Sequence, residues 1–319
     1  MSVIALVGAS SQIAKDLILN FDRQSSNLLL LYVRDTNVTK NWMVKNNLKS
    51  KHSLHKYEEY GAIDHDLVIN FVGAGDPRRV VKMGSSIFSI TSKFDEMIMK
   101  YLPQNPSRRY FFLSSGAVYG SDFVEPVDAN TIAQTNINKI TPQDYYATAK
   151  LYAEIRHRSQ SANYIVDIRV FNYFSKSQNL SSRFLITDII RALRDNLTFT
   201  TSSENIWRDF LHPEDFFQLI CCILDAAPQN CVIDCYSADP IDKMTLLKEL
   251  DKMYNLNYEI ITKESGPSQN AAGTKFNYYS KNFKAAEFNY KPMFSSLTGI
   301  LTETSSILNR PLPKISVSL

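Results

Sequence analysis

Apolar residues follow two rhythms along this chain. Residues 2–7 form a short apolar run that leads straight into Gly8, and residues 28–33 and 67–72 form two more. Runs of this length, bounded by turn residues, are the pattern of strands buried on both faces of a parallel sheet. Residues 110–113 and 164–171 read as two further strands. Between them the spacing changes to three and four. Ile13, Leu17 and Ile18 predict a helix over 12–20, and Ile87, Ile90, Phe94, Met97, Ile98 and Tyr101 predict one over 85–102. Residues 144–159 predict a third. Strand and helix alternate through residue 175, which implies a parallel sheet with helices on both faces. Residues 36–66 break the rhythm. A parallel crossover needs about a dozen residues or more, and the ambiguous run 52–63 predicts a shortened, irregular one. Beyond residue 175 the spacing predicts helices over 182–194, 215–227 and 244–254, and strands over 231–236 and 258–262, with residues 297–308 ending the folded part. Residues 265–274 are rich in Ser, Gly, Pro and Asn and read as a loop.

Composition narrows the partners. The 319 residues are 44% hydrophobic and 21% charged, with 35 Lys+Arg against 32 Asp+Glu. A net charge of +3 creates no polybasic field, so no nucleic-acid partner is expected. The longest apolar runs are too short to span a bilayer, and no basic segment followed by a long apolar stretch opens the chain. No membrane partner is expected, and a cytoplasmic location is. The four cysteines lack a paired CxxC spacing, so they read as buried thiols, and no metal site is expected. Glycine is scarce, with ten in all. Gly8, Gly73, Gly75, Gly116 and Gly120 fall at or just past strand ends, the edge where an open parallel sheet binds ligands.

The first of these glycines lies in Val7-Gly8-Ala-Ser-Ser11-Gln-Ile-Ala14, between a strand and a helix. A dinucleotide pyrophosphate needs close backbone approach and a helix N-terminus, and this turn offers both. Of a GxxGxxG pattern only Gly8 is kept, with Ser11 and Ala14 in the other places. The fold class expected is therefore α/β: a Rossmann-type doubly wound parallel sheet, with a smaller C-terminal α/β substrate-binding region. Residues 1–175 form the dinucleotide-binding domain. Arg34 stands about twenty residues past the loop, where NAD enzymes usually carry an acid. An arginine suits a 2′-phosphate, so NADP is the expected cofactor, and Asp35 next door keeps NAD as the alternative.

Tyr146-Ala-Thr-Ala-Lys150 places a phenol and an ammonium on one helical face. The lysine is expected to lower the phenol pKa and make Tyr146 a proton donor or acceptor. Phe112-Leu-Ser-Ser115-Gly-Ala-Val-Tyr-Gly120 sits about thirty residues earlier at a strand end. Here the chain resembles the extended short-chain dehydrogenase/reductases, the NAD-dependent epimerase/dehydratase group that modifies sugar nucleotides. The glycine loop, Ser115 to Gly120, Tyr146 and Lys150 with Glu154, Arg169-Val-Phe-Asn172, Arg208-Asp-Phe-Leu-His-Pro-Glu-Asp215 and the stretch from Lys281 to Thr304 carry that resemblance in order.

The resemblance runs over nearly the whole chain and implies roles. By it, residues 176–319 are expected to be mainly substrate-binding, with the chain crossing back to the first domain. Ser115 would hydrogen-bond the reacting sugar oxygen, Tyr146 would exchange its proton, and Lys150 would hold the nicotinamide ribose. Gly8, Ser10, Ser11, Gln12, Ile13, Arg34, Phe71, Val72 and Gly73 would contact the dinucleotide, with Tyr146 and Lys150. Asn172 and Arg208 would hold the diphosphate of a nucleotide-sugar substrate. The alternative for Arg208 is an ion pair with Asp209 or Asp215. Phe171, Phe174 and Phe210 read as core, His212 as a packed structural histidine, and Trp207 as a buried packing residue. The family's dehydratases carry an acidic pair just after the serine, where this chain has Gly116 and Ala117, so elimination is not expected. Two chemistries remain that need only Ser, Tyr, Lys and a nicotinamide. Reduction of a 4-keto-6-deoxy sugar nucleotide by NADPH is the expectation, with Arg34 deciding. NAD-dependent 4-epimerisation is the alternative, and a non-catalytic dinucleotide sensor is a more distant one. A homodimer pairing helices 85–102 and 144–159 is expected.

Overall fold

The computed structural model describes residues 1–73, 77–261 and 275–311. The loop expected over 265–274 lies outside them, as do Gly75, Gly266 and Gly273.

Strand β1 (Val3–Val7) runs through the Gly8 turn into α1 (Gln12–Gln24), and β2 (Leu28–Val33) into α2 (Thr36–Lys45) and β3 (Ser53–Lys56). Then come β4 (Leu67–Asn70), α3 (Pro77–Met83), α4 (Ser86–Met99), β5 (Arg109–Ser115), α5 (Tyr145–Arg158) and β6 (Tyr164–Val170). These strands join a seven-stranded sheet in which every pairing is parallel. From β6 inward the order runs β5, β4, β1, β2, β3. The winding reverses between β1 and β4, and ligands bind at the strand ends beside such a switch point.

Strict alternation along each strand builds the two faces. Ile4, Leu6, Leu29, Leu31, Leu67 and Ile69 pack with Leu17, Ile18 and Phe21 of α1. Ala5, Val7, Leu30, Tyr32, Val68, Tyr110 and Phe112 point the other way, toward Ile98 of α4 and Ala153 of α5. Residues 36–66 correct the sequence expectation, because the crossover is regular. Asp35 caps α2 by accepting from the Val38 N–H at 3.0 Å, and β3 pairs with β2 from Leu30↔Ser53 to Val33↔Lys56. The pattern hid this because α2 lies on the sheet's outer rim. Thr39 is its one buried residue, so no apolar stripe marks it.

Past β6 the strands shorten: β7 (Asn172–Tyr173), β8 (Phe199–Ser202), β9 (Trp207–Arg208) and β10 (Phe210–Leu211), with α6 (Leu185–Asp195) before β8. The chain then returns to the large sheet as α7 (Pro213–Asp225) and β11 (Cys231–Asp234), which pairs with the outer side of β6. Last come β12 (Ile241–Asp242), α8 (Lys243–Tyr254), β13 (Tyr258–Ile261), β14 (Asn277–Tyr278) and α9 (Ser296–Leu308). A separate core joins Ile186, Ile189 and Ile190 of α6, Leu246, Leu247 and Leu250 of α8, and Ile300 and Leu301 of α9. Beside it, β9 pairs with both β12 and β14, which sets Tyr278 next to Arg208. The shortage of glycine shows at helix ends. Asn196, Asn255 and Asn309 take the left-handed C-terminal positions of α6, α8 and α9 that glycine commonly fills. No described helix is long and apolar enough to cross a membrane.

Candidate active site

The ends of β1, β2, β4 and β5 line up along one edge of the sheet. Gly8 turns there with φ +83°, and a Cβ on it would lie 3.0 Å from the Val72 nitrogen. Only glycine lets β1 and β4 come this close. The Gly8 and Ala9 N–H groups donate to the Tyr32 carbonyl. Ser11, in the place of a second glycine, caps α1 by accepting from the Ala14 N–H at 3.4 Å. Among the described residues, the backbone N–H groups of Ser10, Gln12 and Ile13 meet no acceptor, which leaves an anion-binding helix start. The Gln12 side chain turns aside, donating to Ser175 Oγ at 3.0 Å and Gln178 Oε1 at 2.8 Å. At the end of β2, Arg34 is exposed, whereas the Asp35 carboxylate is engaged as the α2 cap. Phe71, Val72 and Gly73 follow β4. A Cβ on Gly73 would stand 3.3 Å from Lys150 Nζ.

Ser115 ends β5, and its Oγ accepts from the Ala117 N–H at 3.2 Å. Two phenols stand close enough for its hydroxyl to act on their pKa values: Tyr146 from α5 and Tyr278 from β14. The YxxxK expectation is half met. Lys150 is buried on the same helix, but its ammonium donates to the carbonyls of Leu113 (2.7 Å) and Val72 (3.4 Å) and lies 4.2 Å from the Phe112 ring centre. It does not lower the Tyr146 pKa as expected. Burial pushes the phenol up, and only the nearby Ser115 hydroxyl works against that. Burial also pushes Lys150 down to about 8, opposed by Asp95, Glu154 and Asp167.

On the side of β9 and β14 stand two residues that the sequence reading missed. Tyr278 is wedged against the rings of Phe123 and Phe171, with centres at 4.8 and 5.2 Å. Its hydroxyl is pushed far up by burial and by Tyr146, so it stays protonated. Lys275 lies over the faces of Tyr278 and Phe123, at 4.5 and 4.8 Å. A two-residue strand carries no periodicity, so nothing in the pattern marked either one. Arg208 donates through Nη1 to the carbonyls of Trp207, Lys275 and Phe276. Neither proposed ion pair forms. Asp209 accepts from the Ser237 N–H and Ser296 Oγ, and Asp215 from the Met293 and Phe294 N–H groups. Burial pushes Arg208 down to about 10, and burial together with Arg208 pushes Lys275 down to about 8. Among the described residues no salt bridge reaches either cation, and Asp144 acts on Lys275 only through its charge, so the pair has the chemistry to hold an anion.

Asn172 spends its amide N–H groups on the Asp209 carbonyl (3.1 Å) and the Tyr278 carbonyl (3.3 Å), tying the short strands together. Gly116 touches Phe171 so closely that an added Cβ would lie 2.4 Å from the ring. Glu154 and Arg169 form a buried pair at 2.6 Å, with Ser114 Oγ donating to Glu154 at 2.5 Å. Phe171, Phe174 and Phe210 are buried as expected. His212 caps α7 and stacks on Phe294 at 3.8 Å, a structural role. Trp207 departs from expectation. It is 39% exposed, because β9 is a surface strand. All four cysteines are free thiols, and the described residues form no His/Cys/Asp/Glu cluster able to hold a metal.

Residues 4–234 match the model of the NAD dependent epimerase/dehydratase family. A search of curated proteins finds no match. Solved structures share the fold at low identity. A UDP-glucuronic acid 4-epimerase from Bacillus cereus, in complex with UDP-glucuronic acid and NAD, superposes with a TM-score of 0.78 at 14% identity, covering 96% of this chain and 99% of that one. A dTDP-glucose 4,6-dehydratase from Bacillus anthracis, in complex with NAD, gives 0.75 at 13%, covering 96% of each chain. A UDP-N-acetylglucosamine 4-epimerase from Methanobrevibacter ruminantium, in complex with UDP-N-acetylmuramic acid, gives 0.76 at 14%, covering 97% of each.

Proposed function

The chain belongs to the NAD dependent epimerase/dehydratase family, and from that premise we propose that it is an NAD-dependent nucleotide-sugar 4-epimerase. The observation that carries this reading is the cluster of Ser115, Tyr146 and Tyr278 side chains, set beside a Gly116 that the Phe171 ring holds free of any side chain. Dehydration needs an acid next to the serine. Inverting a carbinol does not. Ser115 would orient the sugar oxygen, and Tyr146 would take its proton and return it, with the positive charge that bound nicotinamide would bring favouring the phenolate this needs against the burial that raises its pKa. Tyr278, held neutral by burial, would steady the Ser115 hydroxyl. Arg208 and Lys275 would take the diphosphate.

A dinucleotide fits the opposite side. The Gly8 turn and the open N–H groups of Ser10, Gln12 and Ile13 suit its pyrophosphate. Lys150 reaches Val72 and Gly73, where the nicotinamide ribose would lie. Bound nicotinamide supplies the hydride chemistry. The same premise supports a homodimer built on α4 and α5, since α5 exposes Tyr152 and Ile155.

One observation favours a second reading, reduction of a 4-keto sugar nucleotide with NADPH. Arg34 is open at the end of β2, and Asp35, the residue that would favour NAD, is spent on the α2 cap. A single assay separates the two. The purified protein is extracted for bound dinucleotide and incubated with UDP-hexoses and UDP-uronic acids, with proton NMR following the sugar. An epimerase inverts the 4-position with no net change in reduced nicotinamide. A reductase leaves those sugars untouched and oxidises NADPH with a 4-keto-6-deoxy sugar nucleotide. Activity in neither arm rejects both readings.

A further inference from the structure

Below the active-site edge, on the face covered by α4 and α5, a chain of polar side chains runs through the core. Asn70, Tyr110, Asp95, His157 and Asp167 are each at most 1% exposed. Groups so deep must satisfy one another, and they do. The Val72 N–H donates to Asn70 Oδ1 at 3.0 Å, and Asn70 Nδ2 donates to the Tyr110 hydroxyl at 3.0 Å. Tyr110 donates to Asp95 Oδ1 at 3.0 Å. His157 sets Nε2 2.7 Å from Asp95 and Nδ1 2.6 Å from Asp167. Arg156 and Arg158 take the outer oxygens of the two carboxylates. Burial works against a charge on His157, but Asp167 and Asp95 outweigh it and push the ring up to about 9. It is an imidazolium clamp between two acids.

The other end of this chain is the cofactor side. Val72, whose N–H is held by Asn70, offers its carbonyl, on the next peptide group, to Lys150 Nζ. The Phe112 ring beneath that ammonium meets the His157 ring edge-on, with centres 5.1 Å apart. Among the described residues no carboxylate touches Lys150. Its counter-charges stand off at Asp95, Glu154 and Asp167.

We propose that Asn70, Tyr110 and Asp95 are positioning residues that seat the Val72 peptide and Lys150 for the dinucleotide, with His157 clamping Asp95 in place. This rests on the reading of Lys150 as the ribose-holding lysine. Without the Tyr110 hydroxyl the Asn70 amide loses its acceptor, turns, and frees the Val72 N–H. Asp95 also acts through its charge. Lys150 works as the ammonium and is held near 8, so NAD binding weakens as pH rises through about 8. Removing the Asp95 charge removes one group that favours the ammonium, so the weakening must begin at lower pH.

The test measures the NAD dissociation constant of the full chain across neutral and alkaline pH, beside its melting temperature. Tyr110→Phe should weaken NAD binding about tenfold to a hundredfold with its pH profile unmoved, since the Asp95 charge remains. Asp95→Asn should move the alkaline limb down by about one pH unit. Asn70→Ala cuts the chain nearer the site and should reproduce Tyr110→Phe, which keeps the test alive if Asp95→Asn fails to fold. Variants that lower the melting temperature yet bind NAD like the parent protein overturn the proposal. A parent protein that binds no dinucleotide overturns both this proposal and the family reading of Lys150. A parent that binds NAD but converts no sugar overturns only the proposed substrate.

Discussion

The two walls of the site are built by different means. On the side proposed for the cofactor, Ser115 ends a seven-residue strand that is paired along its length with β6 and over Arg109–Phe112 with β4, and Lys150 is buried on a fourteen-residue helix packed against α4. On the substrate side, Arg208 and Tyr278 stand on two-residue strands. Asn172 stitches those strands together from the side by bonding the Asp209 and Tyr278 carbonyls. One wall is set by long-range sheet order and the other by a few side-chain bonds. Groups that need fixed geometry for chemistry gain from the first arrangement. Groups that distinguish one substrate from another can change cheaply on the second.

If that division holds, the largest loss comes from the rigid wall. Tyr146→Phe removes the proton-exchanging hydroxyl and leaves the ring. It should lower kcat about a thousandfold or more, near the upper end of what general acid–base catalysis supplies. NAD binding and melting temperature should stay within error of the parent protein. A variant that keeps more than a tenth of the parent turnover would show that Tyr146 does not carry the proton. Steady-state kinetics on the sugar nucleotide identified by NMR decides it.

The next effect comes where the walls meet. Gly116 belongs to the turn after β5, and Phe171 to the link between β6 and β7. An added Cβ would sit 2.4 Å from the Phe171 ring, so Gly116→Ala should destabilise the fold by about 1–3 kcal/mol through overpacking. Chemical denaturation measures it. Pairing it with Phe171→Leu should recover part of the loss, since the ring is what the methyl meets. An unchanged midpoint in the single variant would mean that the turn moves freely, and then an acid at 116 would no longer be excluded by packing.

What could be read in advance follows the same division. Strands β1, β2, β4, β5 and β6 are buried on both faces, so each appears as an apolar run, and the ends of four of them mark the cofactor edge. The α2–β3 crossover was misread because it lies on the sheet's rim, where little is buried. Tyr278 and Lys275 went unread because a two-residue strand has no period and its partner lies seventy residues away at β9. The motif Tyr146-x-x-x-Lys150 placed both residues on α5, but spacing alone cannot show where a lysine tip goes. The carbonyls of Leu113 and Val72 took it, so the expected drop in the Tyr146 pKa is absent. Ser11 resolves differently, since a serine in a glycine place turns its oxygen back to cap α1.

The smallest effect is the most telling about the flexible wall. Tyr278→Phe keeps the ring that packs on Phe123 and Phe171 and still offers its face to Lys275, so the fold should hold. What disappears is the one hydrogen bond that this hydroxyl would lend the Ser115 side chain. A neutral bond of this kind is worth about 1 kcal/mol net, so kcat/KM should fall about fivefold to tenfold. Burial and Tyr146 hold the Tyr278 phenol protonated well above its ordinary range. It therefore stays a neutral group through neutral and mildly alkaline pH, and the ratio of variant to parent kcat/KM should be flat there. A ratio that changes with pH would mean that Tyr278 exchanges a proton during the reaction. The short strand β14 would then share the proton chemistry of Tyr146 on α5.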